Sequence, residues 1–561
     1  MRLELEHCRV ATVEATDARF TGDAWFDSPT FTGNAELDGA TFTGNAGFGG
    51  ATFTGNAGFA GATFTGNAGF AGATFTGNAG FGDATFSSDA GFDGATFTGN
   101  AGFEGATFSS DARFGDATFA GAARFSEANF SDARFDGTTF TGAVASFARV
   151  TFTRNAWFGG ATFTRNASFG DASFNGAVAS FAGATFASAA LFGDVTFRSD
   201  TGFDDASFSG AALFDRASFS ANISFVGVTF TDNASFVGVT FTDNFSFGGV
   251  TFTGNASFDG ATFTGSDTSF VGATFTDNVG FDGVTFAGTV SFAGATFTRN
   301  ALFKDATFAR NALFNEATFT GDAWFEGTTF TGSALFAGAT FGGTAWFSDA
   351  IAHAYDYRSV QFHTTDPGPW IGERVTLAGA VLHLRARVVV AAVEGDYRRL
   401  QSREGVHLVC LGDAVDLEDA EFLRRSILAH SASQPSIPER HHPGERPEGF
   451  DDLSPAEQGR WTAQEEAFQL AQSLVGELGP QQVKRTRLVS LRRATAGDLV
   501  LSGVGLEDCA FAGAHGLDKL RIDATCSFQR PPTWPWRTWR PFTGRRIIYE
   551  ETQWRRAHTA G

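Results

Sequence analysis

The chain has 561 residues, among them 67 Phe, 69 Gly and one Met, and a net charge of −21. No run approaches the ~18 apolar residues of a membrane span, and Cys8, Cys410, Cys509 and Cys526 lack the spacing of a zinc site or a disulfide framework. Residues 1–18 alternate charged and short apolar residues instead of forming a secretory signal, so the composition points to a cytoplasmic protein without a membrane span.

Residues 1–17 read as an N-terminal cap. From residue 18 to 350 an apolar residue, nearly always Phe, recurs at alternating gaps of five and six, as in Phe42, Phe48, Phe53, Phe59, Phe64 and Phe70. The unit is A-T-F-T-G-N-A-G-F-x-G, as at residues 51–61. An eleven-residue helical repeat is excluded, because the three Gly of that unit each cost a helix interior roughly 0.8–1 kcal/mol against Ala. Short strands joined by tight corners fit better: Thr and Phe favour strands, and Gly and Asn supply corner conformations.

The longer register is more telling. Phe20, Phe42, Phe64, Phe86, Phe108, Phe130 and Phe152 are spaced by 22 even where the local gaps change. A constant sum with variable parts is what a closed coil needs, so that each Phe stacks on its counterpart one turn away. Four apolar positions per coil predict four faces, and fourteen coils between Phe20 and Phe330 predict a rod of about 67 Å. An extra residue near Val144 is compensated within its coil, whereas those before Phe181 and Phe270 stretch their coils to 23 and predict bulged corners. The short Ala or Ser two before most Phe predicts a second, cramped inward position.

Units such as A-T-F-T-G (residues 51–55) and A-G-F-A-G (residues 57–61) resemble pentapeptide repeats, in a Phe-centred, eleven-spaced variety. The resemblance implies an all-β fold, a right-handed quadrilateral parallel β-helix, and leaves room for an end-to-end homodimer. The inserted residue in every second unit, such as Asn45, Asn56, Asn67 and Asn78, departs from a strict fivefold period, so the corner geometry is open.

Residues 351–430 read as degenerate coils, with five-spaced pairs such as Leu377 with Leu382 and Leu417 with Phe422. Residues 431–453, rich in Pro, Ser, His and Glu, read as a flexible loop in which His441 and His442 are solvated. Residues 454–479 predict an amphipathic helix: a capping Ser454, Pro455 in the first turn and Glu457 three later, then Trp461, Phe468, Ala471 and Val475 on one face. That stripe is expected to plug or flank the solenoid. Repeats resume over residues 480–529 with Leu501, Leu506 and Phe511. The tail, residues 530–561, interleaves Trp and Arg. Its candidate interaction residues are Trp534, Trp536, Arg537, Trp539, Arg540, Arg545 and Arg546, expected to cap an open solenoid end or to bind a partner.

No catalytic, cofactor-binding or metal constellation stands out. The abundant Gly are repeat corners, and Asp83, Asp89, Asp93, Glu104 and the pair Asp204–Asp205 read as a solvated surface. The expectation is therefore a non-enzymatic scaffold for an unidentified protein partner, without direct nucleic-acid binding. Two alternatives remain. The first is DNA mimicry toward a type II topoisomerase, since residues 1–350 carry a net −20. That is about −1.4 per coil, roughly half the linear charge of duplex DNA. The second is an ice-binding-like Thr surface, because Thr-Phe-Thr occurs 17 times and should form ladders on two opposite faces.

Overall fold

The computed structural model describes residues 3–365, 367–412, 414–431, 446–447, 450, 453, 455–477 and 485–528. The chain divides into two compact units, residues 1–269 with 273–277, and residues 270–272 with 278–561.

The first unit is a four-faced parallel β-solenoid. Each eleven-residue repeat supplies two faces, one from a Thr-Phe strand and one from an Ala-x strand. Thr63–Phe64 pairs with Thr41–Phe42 below and Thr85–Phe86 above, and Ala68–Gly69 pairs with Ala46–Gly47 and Ala90–Gly91. The other two faces repeat this as Thr52↔Thr74 and Ala57↔Ala79. Every one of these pairings is 22 residues apart.

The core is four columns of phenyl rings. Phe42, Phe64 and Phe86 stack with centroids 4.8 Å apart and planes within 1° of parallel. Rings of different columns meet edge to face, as Phe48 does Phe59 at 5.4 Å and 81°, the geometry that the ring quadrupole favours. Alanines such as Ala46, Ala57 and Ala68 are buried beside the rings as the second inward position. Phe245 occupies one such place. It crowds to 4.1 Å from Phe241 and 4.4 Å from Phe247, and Phe247 tilts 23° from Phe225.

The two kinds of corner have different causes. Phe59 to Ala62 is a turn closed by Ala62 N–H donating to Phe59 O, with Gly61 at φ 64°. This is the third position of a type II turn, where a positive φ is required. The opposite corner contains the inserted Asn. The Asn78 N–H donates to Asn56 Oδ1 and the Asn100 N–H to Asn78 Oδ1, both at 3.0 Å. A ladder of Asn side chains thus satisfies backbone donors that the extra residue takes out of the strand ladder. The lengthened repeats put their surplus at corners, leaving Ala156↔Ala179 and Ala179↔Thr201 in register.

The second unit begins with the same coils, Thr285↔Thr307↔Thr329↔Ile351 at 22 residues. From Ile351 the period is 20: Ile351↔Ile371↔Ala391, and Gln361↔Val381↔Gln401↔Glu421. The inserted residue is gone and each coil closes in 20 residues. Inward places are taken by Tyr355, Tyr357, Trp370, Leu377, Leu382 and Tyr397.

After His430 the chain leaves the solenoid and returns at Thr486, whose Oγ1 lies 3.1 Å from His430 Nδ1. The strand Arg487–Ser490 continues the coil of Ala414–Asp416 directly, and Leu499–Ser502 continues Ser426–His430. The solenoid of this unit therefore runs on through the insertion. The helix, α1 (Pro455–Glu477), lies beside it along the strands from Thr285–Phe286 to Trp370–Thr376. Trp461 and Phe468 are half-buried, and Leu474, outside the expected stripe, is buried.

Candidate functional site

The residues that the sequence singles out in the tail, Trp534, Trp536, Arg537, Trp539, Arg540, Arg545 and Arg546, lie outside the described residues, as do His441 and His442. Site geometry rests on the two units.

Groups capable of covalent chemistry are used in packing. The Cys410 thiol is buried 3.8 Å from Tyr397 Oη, and burial pushes it up to about 12. Burial likewise raises Cys526 to about 11. A thiol held protonated is a poor nucleophile. Among the described residues no three His, Cys, Asp or Glu side chains converge on a metal position, and no helix is long and apolar enough to cross a membrane.

The acidic surface of the first unit is extensively partnered. Asp194 and Arg216 form two hydrogen bonds at 2.8 and 2.6 Å, and the guanidinium holds the carboxyl below its ordinary range. Arg113 pairs with Asp93 and Arg154 with Asp132. Asp38 accepts from the Ala60 N–H at 2.7 Å, and Asp204 from the Val226 N–H at 3.1 Å. Carboxylates committed in this way offer a weaker field than their number suggests.

The Thr columns are also partly committed. The second Thr of a triplet turns its hydroxyl inward to the coil below, as Thr54 Oγ1 donates to Phe31 O at 2.9 Å and Thr43 Oγ1 to Phe20 O at 3.1 Å. In the second unit Thr285 and Thr329, on the face beside α1, are buried. The first Thr of most triplets, such as Thr41, Thr52, Thr63 and Thr74, keeps a half-exposed ladder.

The most concentrated surface feature is a corner of the 20-residue coils that the sequence reading did not single out. It follows the inward column Phe362, Leu382, Ser402 and Phe422 and precedes the next face. Immediately after that column stand His363, His383, Arg403 and Leu423, one per coil. His383 N–H donates to Phe362 O, Arg403 N–H to Leu382 O and Leu423 N–H to Ser402 O. His363 and His383 stack with centroids 4.0 Å apart, and His383 Nε2 is 2.8 Å from Gln361 Oε1. Burial, then the charges of His363 and Arg403, hold His383 below the ordinary imidazole range.

Further round the corner are Leu384, Arg385, Glu404, Arg424 and Arg425, and then Arg387 in register with His407. Gly405 allows the tight bend: a Cβ there would meet Arg425 O at 2.5 Å. Arg385, Arg387, Arg403, Arg424 and Arg425 are all exposed and make no ion pair among the described residues. Leu384 is 42% and Leu423 51% exposed. A recurrence of basic residues at intervals of 20 is the signal that would have found this corner.

The family model for pentapeptide repeats, nine copies long, matches in overlapping windows from residues 15–63 to 314–356. Together the windows cover residues 15–173 and 203–356, more than half of the chain. Neither the curated proteins nor the solved structures compared with the chain give a match.

Proposed function

The chain belongs to the pentapeptide-repeat family, and on that premise we propose that it is a non-enzymatic scaffold that holds other proteins along its faces in the cytoplasm. The observation carrying this reading is the strand register. Each outward side chain recurs one coil later, so the faces are extended, periodic and fixed by a backbone that has little freedom to rearrange. Rigid presentation lowers the ordering cost of association. The free thiols of Cys8, Cys410 and Cys526 accord with a reducing compartment, and the raised pKa of buried Cys410 and Cys526 accords with a packing role.

Cross-linking of the full chain in its source cells, followed by mass spectrometry, tests the proposal. A scaffold gives recurrent cross-links to the same one or few proteins, mapping to outward positions of the coils. Cross-links distributed over abundant proteins in proportion to their concentration would overturn it.

A further inference from the structure

The geometry points to the Arg-Leu corner of the 20-residue coils as a docking surface for an anionic lipid bilayer. This goes beyond the scaffold reading and would place the chain on a membrane surface without spanning it.

Three features carry the inference. First, the charge is concentrated and uncompensated. Arg385, Arg387, Arg403, Arg424 and Arg425 project from three successive coils, five guanidinium groups against the two carboxylates of Glu404 and Glu421. Some arginines of the same unit meet carboxylates, as Arg398 meets Asp396 at 2.7 Å and Arg493 meets Asp419 at 2.6 Å, whereas the five corner arginines make no ion pair among the described residues.

Second, Leu384 and Leu423 are among the few large apolar side chains left exposed in the described structure, and both lie within this corner. Leu384 is flanked in sequence by His383 and Arg385, and Leu423 is followed by Arg424 and Arg425. An apolar tip set in basic residues matches the headgroup boundary of an anionic membrane, where guanidinium groups meet lipid phosphates and carboxylates while leucines enter the acyl edge.

Third, the pairing of arginines with exposed leucines suits a lipid surface better than a nucleic acid or a protein partner. A nucleic-acid backbone would use the arginines but give the leucines no apolar counterpart. Protein hot spots favour Trp, Tyr and Arg, and leucine is under-represented there.

Co-sedimentation of the full chain with phosphatidylcholine vesicles, with and without phosphatidylserine, tests the proposal. Binding is expected only to the anionic vesicles and should fall with added salt. The variant Arg424→Gln/Arg425→Gln should lose about fivefold in affinity per arginine, or about 25-fold together. Leu384→Ser/Leu423→Ser should lose roughly tenfold, and the part lost should not depend on salt.

All four positions are exposed, so urea midpoints should match the parent chain and separate lost binding from lost folding. Arg545→Gln/Arg546→Gln controls for the basic tail. Loss of binding in the tail variant with retention in the corner variants would overturn the proposal. So would unchanged binding of the leucine variant. Retention on polyglutamate or single-stranded DNA without vesicle binding would overturn it in favour of a soluble polyanion. None of these outcomes bears on whether proteins cross-link to the faces, so the scaffold reading stands or falls separately.

Discussion

Three glycines within one coil should respond to alanine in three different ways. A Cβ on Gly77 would lie 2.5 Å from Gly55 O, 2.6 Å from Gly55 C and 2.9 Å from Asn56 N, all backbone atoms one coil below. Those atoms cannot rotate away, so the two coils must part locally, and Gly77→Ala should cost about 1–3 kcal/mol as overpacking. Gly72 has open space around its Cβ position but sits at φ 66°. Gly72→Ala should therefore cost about 1–2 kcal/mol through the left-handed backbone alone. Gly80 has neither a neighbour within 4 Å nor a positive φ. Gly80→Ala should stabilise by about 0.4–1 kcal/mol, chiefly by restricting the unfolded chain. Urea denaturation of the full chain measures the three midpoints, and hydrogen exchange at residues 55–80 locates the change. If Gly80→Ala is as damaging as Gly77→Ala, the separation of coil contact from backbone conformation is wrong.

Three further outcomes follow from the interior and the corners. Tyr357 Oη is buried without a hydrogen-bond partner, so Tyr357→Phe should raise stability by about 1–2 kcal/mol in urea denaturation; a loss would show that the hydroxyl is satisfied. Asn78→Ala removes the acceptor of the Asn100 N–H and should cost about 0.5–1.5 kcal/mol, with faster amide exchange confined to Asn100. Cys410 is protonated in both states below pH 9 and, held up to about 12 by burial in the fold, ionises first in the unfolded chain. Its stabilisation is therefore complete below pH 9 and declines toward pH 12 by up to about 1.4 kcal/mol per pH unit; Cys410→Ala should flatten that part of the stability–pH curve, and an unchanged slope would refute the assignment.

The first unit was legible because one residue type marks nearly every inward position. Phe at 20, 42, 64 and 86 gives the coil length, and small residues two places earlier give the second inward row. The corner could not be read so easily. Asn56 and Asn78 are plainly periodic, but that each accepts the next coil's N–H depends on how adjacent corners approach. Beyond Ile351 the period is stricter than before, yet harder to see, because Tyr357, Leu377, Tyr397 and Leu417 share a column without sharing an identity. The five-spaced pairs are visible there, whereas the 20-residue register needs the strand pairing.

The helix illustrates a different limit. Its start at Pro455 follows from local chemistry, but the burial of Leu474 depends on the surface it meets. The Arg-Leu corner was missed for a similar reason. Arg385, Arg403 and Arg425 look like ordinary charged residues in sequence and become a cluster only when coils of 20 bring them to one edge. The tail drew attention instead because its Trp and Arg are contiguous.

Disulfide trapping between coils tests the central claim most directly. Thr52 and Thr74 are register partners on adjacent coils, whereas Thr63, between them in sequence, lies on another face. Oxidised Thr52→Cys/Thr74→Cys should cross-link nearly completely within one chain, and Thr52→Cys/Thr63→Cys should not. Cross-linking of the second pair in preference to the first would contradict the 22-residue solenoid.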